Sequence, residues 1–446
     1  MPSFPAVVCF LLLSAPLYAV QASVVSKKWK PTNSFTWSHD VAPILFNHCV
    51  ECHRPGQPAP FSLLTFEDAH RHAAPMAAVT KSHVMPPWKA ATGYGDFAGA
   101  RHLTPREISV IDQWAKSGAP PGDLDHSPLP PQAPSTWQLG PPDAIAQLTQ
   151  PVDVPADGPD QYRCIVLPLN FDRDRYVRAF EFSINGATTI HHGLFFVDAR
   201  RTRPKENQWE CFGTPGFIPS AGLGGWTPGM RAVSMPAGTA VHIPQGARLV
   251  MQLHFHPDGK PENVSPRIAL YFANQPPTRF LMDLALGSNH IDIPPGEKNY
   301  QVRDSFTIPV PLEVEGIIPH AHYLCKDMQA WAILPNGRKR WLLWIRDWDF
   351  NWQNQFRYRA PLILPAGTRV EMLFTYDNSA ENARNPHNPP QRVTVGPGSG
   401  DEMAGIHLQV IPKDEADMHE LGMAQWGKFM RSRGGEFYHF PAQPTP

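Results

Sequence analysis

The chain has 446 residues, a formal net charge of -1 and 18% charged residues. Without a run of Lys or Arg, this balance argues against nucleic acid or an acidic membrane surface as the main partner. The length suits about three domains. The 51 Pro and 32 Gly punctuate many short strands.

In chain order, residues 1–22 read as a signal peptide. Val7 to Leu13 is apolar and too short to span a bilayer, Ala19 and Ala22 offer two cleavage positions, and no Lys or Arg precedes the apolar run. No later stretch is long and apolar enough for a membrane anchor, so an exported protein, periplasmic or secreted, is expected.

Ser38 to Cys49 predicts a short helix with Val41, Ile44, Leu45 and Phe46 as its apolar positions. It runs into Cys49-Val50-Glu51-Cys52-His53, a C-x-x-C-H segment. In that pattern two thiols form thioethers to haem vinyl groups and the adjacent His supplies a nitrogen to iron. A redox pair or half a zinc site also uses C-x-x-C, but a second C-x-x-C is missing and His follows at once. A Met is then wanted on the other side of the iron. Met85 in Val84-Met85-Pro86-Pro87-Trp88 is the candidate, and Met76 competes with a packing role as its alternative. Thr104-Pro105-Arg106-Glu107 is a capping box, followed by Ile108, Ile111 and Trp114 at helical spacing up to Gly118. Residues 36–120 resemble a class I cytochrome c domain, and with the signal peptide they suggest a bacterial periplasm.

The Pro-rich stretch 121–159 predicts a stiff linker. Beyond it the pattern is β. Tyr176 to Phe182, Ala247 to Phe255, Ser305 to Val310, Met328 to Leu334 and Arg369 to Tyr376 are short, mostly alternating runs between Gly and Pro signals. Two β-sandwich or jelly-roll domains are expected, over 160–280 and 281–412. The tail 413–446 begins helical and receives no function.

Three His clusters sit in this β region: His191-His192, His254 with His256, and His320 with His322. Residues two apart on a strand share a face, so the latter two pairs can each aim both imidazoles at one ion. Adjacent His191 and His192 need a strand end, a bulge or different ring nitrogens. Imidazole-rich sites with little thiolate suit copper, zinc, iron or nickel, and a Met thioether tilts the choice to copper.

Six segments then carry a closer resemblance, in order: His191-His192-Gly193, Gly225-Trp226-Thr227-Pro228-Gly229, Gln252-Leu253-His254-Phe255, Ile293-Pro294-Pro295-Gly296-Glu297, His320-Ala321-His322-Tyr323-Leu324-Cys325-Lys326 and Asp401-Glu402-Met403. From about Asp160 to Pro412 the chain resembles the type II copper, ascorbate-dependent monooxygenases, the family of dopamine beta-monooxygenase and the peptidylglycine hydroxylating enzyme. The resemblance implies two mononuclear coppers, one per β-domain, across a solvent-filled cleft. His191, His192 and His254 would hold the electron-transfer copper. His320, His322 and Met403 would hold the copper at which O2 reacts with a C–H bond. His256 falls outside the matching register and reads as an exposed or supporting His. Met328 is the rival thioether and reads as strand core. The resemblance also implies a Cys164 to Cys211 disulfide, which leaves Cys325 as a buried thiol outside the ligand set.

The predicted fold class is therefore multidomain: a small all-α cytochrome c domain followed by two all-β, jelly-roll-like copper domains. The expected function is a copper monooxygenase acting on a small organic substrate with O2. Family enzymes draw electrons from ascorbate. Here one covalent haem c at Cys49, Cys52, His53 and Met85 would admit them from a redox protein or small reductant. Ile318 stands where the peptide-amidating enzymes carry a substrate-binding Arg, and Gly405 and His407 replace their Asn and Tyr. A glycine-extended peptide is thus not expected. Trp341, Trp344, Trp348 and Trp352 are either a pocket wall or aromatic core. Two alternatives stand beside this reading: a non-catalytic haem and copper electron carrier or copper-handling protein, and oxidation of a small phenol or amine on the same scaffold.

Overall fold

The computed structural model describes residues 35–432 except 56, 58, 133–136, 185–188, 203–206, 212–214, 228–229, 231 and 397. The signal peptide expected over 1–22, part of the G-W-T-P-G motif and the end of the tail lie outside the described residues.

A π-helical turn (Trp37–Val41) leads into α1 (Ala42–His48), which carries Pro in its first turn and buries Ala42, Ile44 and Leu45. Thr65 caps α2 (Phe66–Arg71) by accepting from the Asp68 N–H at 3.1 Å. Next come α3 (Ala73–Lys81) and α4 (Pro105–Lys116). The capping box forms at α4: the Glu107 N–H donates to Thr104 Oγ1 at 3.2 Å, and Glu107 Oε2 accepts from the Thr104 N–H at 2.7 Å. Gly118, at φ 87°, turns the chain out of this helix in a conformation other residues rarely adopt. Trp37, Leu45, Ile111 and Trp114 join these elements in one apolar cluster.

The expectation of a small all-α cytochrome c domain over 36–120 is overturned. The protein is mostly β-sheet, its helices before residue 120 are short, and the stretch between α3 and α4 is tied to the C-terminal β-unit by two isolated bridges. Ala90 forms a β-bridge with Ile345 and Phe97 with Tyr358, and both Ala90 and Phe97 are buried in the core of the C-terminal β-unit. Phe97 packs its ring on Phe356 and Tyr358 at 5.1 Å each, and Trp88 meets Phe356 edge-on at 5.2 Å. The physical reason is apolar area. A few short helices cannot cover Trp88 and Phe97, whereas the aromatic flank of a sheet can.

The stretch expected as a linker is also taken up. Ala144–Gln147 adds an edge strand to Arg267–Phe272, and Val152–Val154 pairs with Glu262–Val264. Buried Glu181 accepts from the N–H groups of Gln138 and Leu139 at 2.6 and 2.7 Å, which fastens the segment to the sheet.

The N-terminal β-unit has two five-stranded antiparallel sheets enclosing one core. One runs in the order Gln208–Glu210, Gln161–Leu167, Arg248–Phe255, Ile190–Asp198, Ala221–Trp226. Its central strand, Arg248–Phe255, is buried at every position because sheet partners flank it and chain covers both faces. The C-terminal unit pairs two four-stranded sheets. One is Met282–Gly287, Gly405–Pro412, Leu312–His320, Phe356–Leu364; the other is Tyr300–Thr307, Arg369–Tyr376, Cys325–Ile333, Lys339–Ile345. In Arg369–Tyr376 the alternation buries Val370, Met372, Phe374 and Tyr376. An ion pair of 2.6 Å between Arg279 and Glu313 and a bond from Arg357 to the Ser234 carbonyl link the two units.

Helix α5 (Glu415–Ser432) docks on the C-terminal unit through buried Leu421 and a Lys428–Asp304 ion pair. No described helix is long and apolar enough to cross a membrane.

Candidate metal centres

His192 lies opposite His254 on neighbouring strands, and the register then slips so that Phe255 pairs with Ile190. His191 is thereby the extra residue of a bulge, which is how two adjacent histidines serve one side of the sheet. His191 Nδ1 is 3.2 Å from His192 Nδ1, and His254 Nδ1 is 3.4 Å from His192 Nδ1. The three side chains offer ligand atoms within 4.8 Å of one another. Two nitrogens bound at about 2.0–2.1 Å to one tetrahedral ion lie about 3.3 Å apart, so these donors are spaced for a cation. Burial, reinforced by neighbouring imidazoles, pushes His191 down to about 4 and holds His192 well below its ordinary value. The rings are therefore neutral, with lone pairs to give. His191 Nε2 is buried without a hydrogen-bond partner among the described residues.

Asp160 fixes the third member. Its carboxylate accepts from His254 Nε2 at 2.8 Å and from His256 Nδ1 at 2.7 Å. These bonds, that from His254 foremost, hold Asp160 down to about 2. Tyr162, opposite His254 in register, stacks on its ring at 4.2 Å. With Nε2 committed, His254 has Nδ1 for an ion, the carboxylate–imidazole arrangement common behind metal ligands. His256 is exposed and follows the end of its strand.

The second group forms where Leu312–His320 ends and the chain turns. The rings of His320 and His322 are 5.2 Å apart and nearly perpendicular. His320 Nδ1 is 2.7 Å from Gln353 Oε1, and His322 Nδ1 is 3.1 Å from the Asp401 carbonyl oxygen. Each therefore keeps Nε2 for a ligand bond. Burial lowers both rings, and with the neighbouring His320 it takes His322 down to about 4. Met403 precedes Gly405, the residue paired with His320, by two positions, and is 38% exposed. Buried Glu402 ties these parts together. It accepts from the backbone N–H groups of His322 at 2.9 Å, Leu324 at 2.6 Å and Met403 at 3.1 Å. Burial prevails over these bonds and pushes its carboxyl up to about 8.

Phe350 lies between the two groups. Its ring stacks on His191 at 5.2 Å and meets His322 edge-on at 5.4 Å. Trp348, two residues earlier, is buried and donates from Nε1 to the His322 carbonyl at 3.1 Å. Of the other named tryptophans, Trp341 and Trp344 stack on each other with Tyr94 against them. Met328 and Cys325 are buried in the C-terminal core. His407 pairs with Asp283 at 3.3 Å.

In the C-x-x-C-H segment neither Cys49 nor Cys52 is in a disulfide. His53 Nδ1 is 3.2 Å from the Phe61 carbonyl oxygen, which leaves Nε2 for iron, so the donors fit thioether attachment and His ligation. Burial and Cys52 push the Cys49 thiol up to about 12. Met76 is buried among the helices, while Met85 is half-buried just after α3. No described hydrogen bond or ring contact joins Met85 to His53. Cys164 and Cys211 are disulfide-bonded.

Asp160, Gln353 and Phe350 are the residues of the candidate site that sequence reasoning missed, and Glu402 stood in a named segment without a role. Only Glu402, next to Met403, had a local signal.

No family model and no curated protein matches the chain. It is similar to the major capsid protein P2 of bacteriophage PM2, at 10% identity over 60% of this chain and 97% of that one, with a TM-score of 0.26. PNGF-II is 8% identical over 60% of this chain and 65% of its own, with a TM-score of 0.26. A tandem CBM22 domain of Paenibacillus barcinonensis Xyn10C is 10% identical over 54% of this chain and 79% of its own, with a TM-score of 0.14.

Proposed function

We propose that the protein is an exported copper-dependent monooxygenase of the kind that the His191-His192, Q-L-H-F, H-A-H and D-E-M segments resemble. The reaction is R–H + O2 + 2 electrons + 2 protons giving R–OH + H2O, on a small organic substrate. The observation that carries the reading is the convergence of His191, His192 and His254 through their Nδ1 atoms, with a second imidazole pair one aromatic ring away.

Copper, when bound, supplies one-electron redox change and the activation of O2. His191, His192 and His254 would hold one ion in an all-nitrogen shell that the bulge and Asp160 keep in place. His320, His322 and Met403 would hold the other, with Met403 on the exposed side, where O2 and substrate can approach. Glu402 keeps the H-x-H turn and the Met403 segment together. A haem c on Cys49, Cys52 and His53, with Met85 as its candidate second ligand, would pass electrons in from a redox protein or small reductant. Ile318, an apolar residue at the family's substrate-binding Arg position, favours a substrate without a carboxylate there.

Metal and haem analysis of full-length protein matured in a host competent for c-type haem tests this. One covalent haem and two coppers per chain are expected; zinc alone, or no haem, would sink the reading. His322→Ala should abolish reductant-dependent O2 uptake with the haem spectrum intact. If copper-loaded protein consumes no O2 with any reductant or substrate offered, it is an electron carrier instead.

A further inference from the structure

Phe350 is 5% exposed, yet it belongs to none of the apolar clusters among the described residues. A core phenylalanine is held by aliphatic and aromatic neighbours from its own sandwich. Its ring contacts span both β-units: His191 of one, and His322 and Tyr323 of the other, at 5.2, 5.4 and 4.6 Å between ring centres. The buried ring thus touches candidate ligands of both histidine groups.

The loop that carries it is built into the second site. It connects Lys339–Ile345 to Phe356–Leu364. Trp348 holds the His322 carbonyl, and Gln353 holds His320 Nδ1. The base of the loop is fastened from two directions, since Asp347 binds Lys89 at 3.0 Å and Arg384 at 2.7 Å. A loop pinned at base and end, with its middle ring wedged between two sites on different β-units, has the geometry of a spacer. Side chains that fix such a separation act through packing, because a phenyl ring cannot be compressed and excludes water where it sits.

We propose that Phe350 is a positioning residue, the spacer that sets the separation and relative orientation of the two metal sites. The inference rests on the two-copper reading above. Its test is dipolar coupling between the two Cu(II) ions, read at the copper resonance of the full-length protein after copper loading. Wild type should show one defined splitting. Phe350→Ala should lose it in favour of a broad distribution while still binding both coppers, and Phe350→Leu, which keeps an apolar side chain but not the ring, should broaden it partly. An unchanged splitting in a two-copper Phe350→Ala protein overturns the proposal. Should Phe350→Ala fail to fold, an unchanged splitting in Phe350→Leu overturns it equally. If wild type binds fewer than two coppers, the two-copper reading fails and the spacer role falls with it, whereas an unchanged splitting in a two-copper variant overturns the spacer role alone.

Discussion

In the N-terminal β-unit three imidazoles converge through Nδ1, the ring nitrogen nearest the backbone, whereas His320 and His322 have Nδ1 committed and keep Nε2. Ligation through Nδ1 requires the backbone itself to come close to the ion. The trio has that geometry: His191 and His192 stand at a bulge, and His254 faces them from the most buried strand of the sheet. Ligation through Nε2 reaches out from the chain, and it suits a turn at a strand end, opposite a partly exposed Met403. On the two-copper reading, the first arrangement would favour an unchanging shell and fast electron exchange, and the second would leave room for an incoming ligand.

The contrast is open to attack at several points. The largest effect should come from His254→Ala, which removes one of the three converging donors. Copper per chain should fall from two to one, with the His320 and His322 site still filled; retention of both coppers would show that the trio is not a unit. Glu402→Ala comes next. It strips the acceptor from three backbone N–H groups and should cost about 3 kcal/mol or more, at about 1–3 kcal/mol for each buried group left unsatisfied. Thermal unfolding measures the loss, and an unchanged midpoint would mean that Glu402 does not tie the second site together.

Asp160→Asn should weaken copper at the trio by about 10–100-fold in competitive chelator titration, the usual range for a partner behind a metal ligand. The His320 and His322 site should be untouched, which separates the two supports. A smaller effect is expected from pH in the metal-free protein. His191 and His322 are both pushed down to about 4 from an ordinary value of 6.5, so below 6.5 the unfolded chain binds protons that the folded one refuses. Their stabilisation is fully present above pH 6.5 and is lost as pH falls through 4. Calorimetric melts across that window should show the decline, and His191→Gln should flatten part of it. The smallest change belongs to His256→Ala: an exposed pair with Asp160 contributes about 0–1 kcal/mol, so trio affinity should shift about fivefold or less.

The histidine-bearing segments stood out because histidine pairs at strand ends are short, local patterns. The α4 capping box and the alternating run Arg369–Tyr376 were legible for the same reason. The supports were not. Asp160 reaches His254 across 94 positions and Gln353 reaches His320 across 33, each as a single residue without periodicity. The all-α expectation failed on a matter of area. Motif and capping signals describe the helices, but nothing local announces that Ala90 and Phe97 will leave them to bridge strands of a distant sandwich. The Pro-rich stretch misled similarly, since the pairing of Ala144–Gln147 depends on a partner more than 100 residues away.

The bulge at His191 makes the candidate metal centre and the sheet separable. A bulge is one residue too many in an otherwise regular ladder, so deleting one codon there would restore an unbroken pairing between Ile190–Asp198 and Arg248–Phe255. The strand would keep its neighbours and lose its site. Read in the other direction, a single inserted residue turns an ordinary antiparallel sheet into one that gathers three imidazoles, a short evolutionary step between a β-sandwich that merely folds and one that can hold a metal.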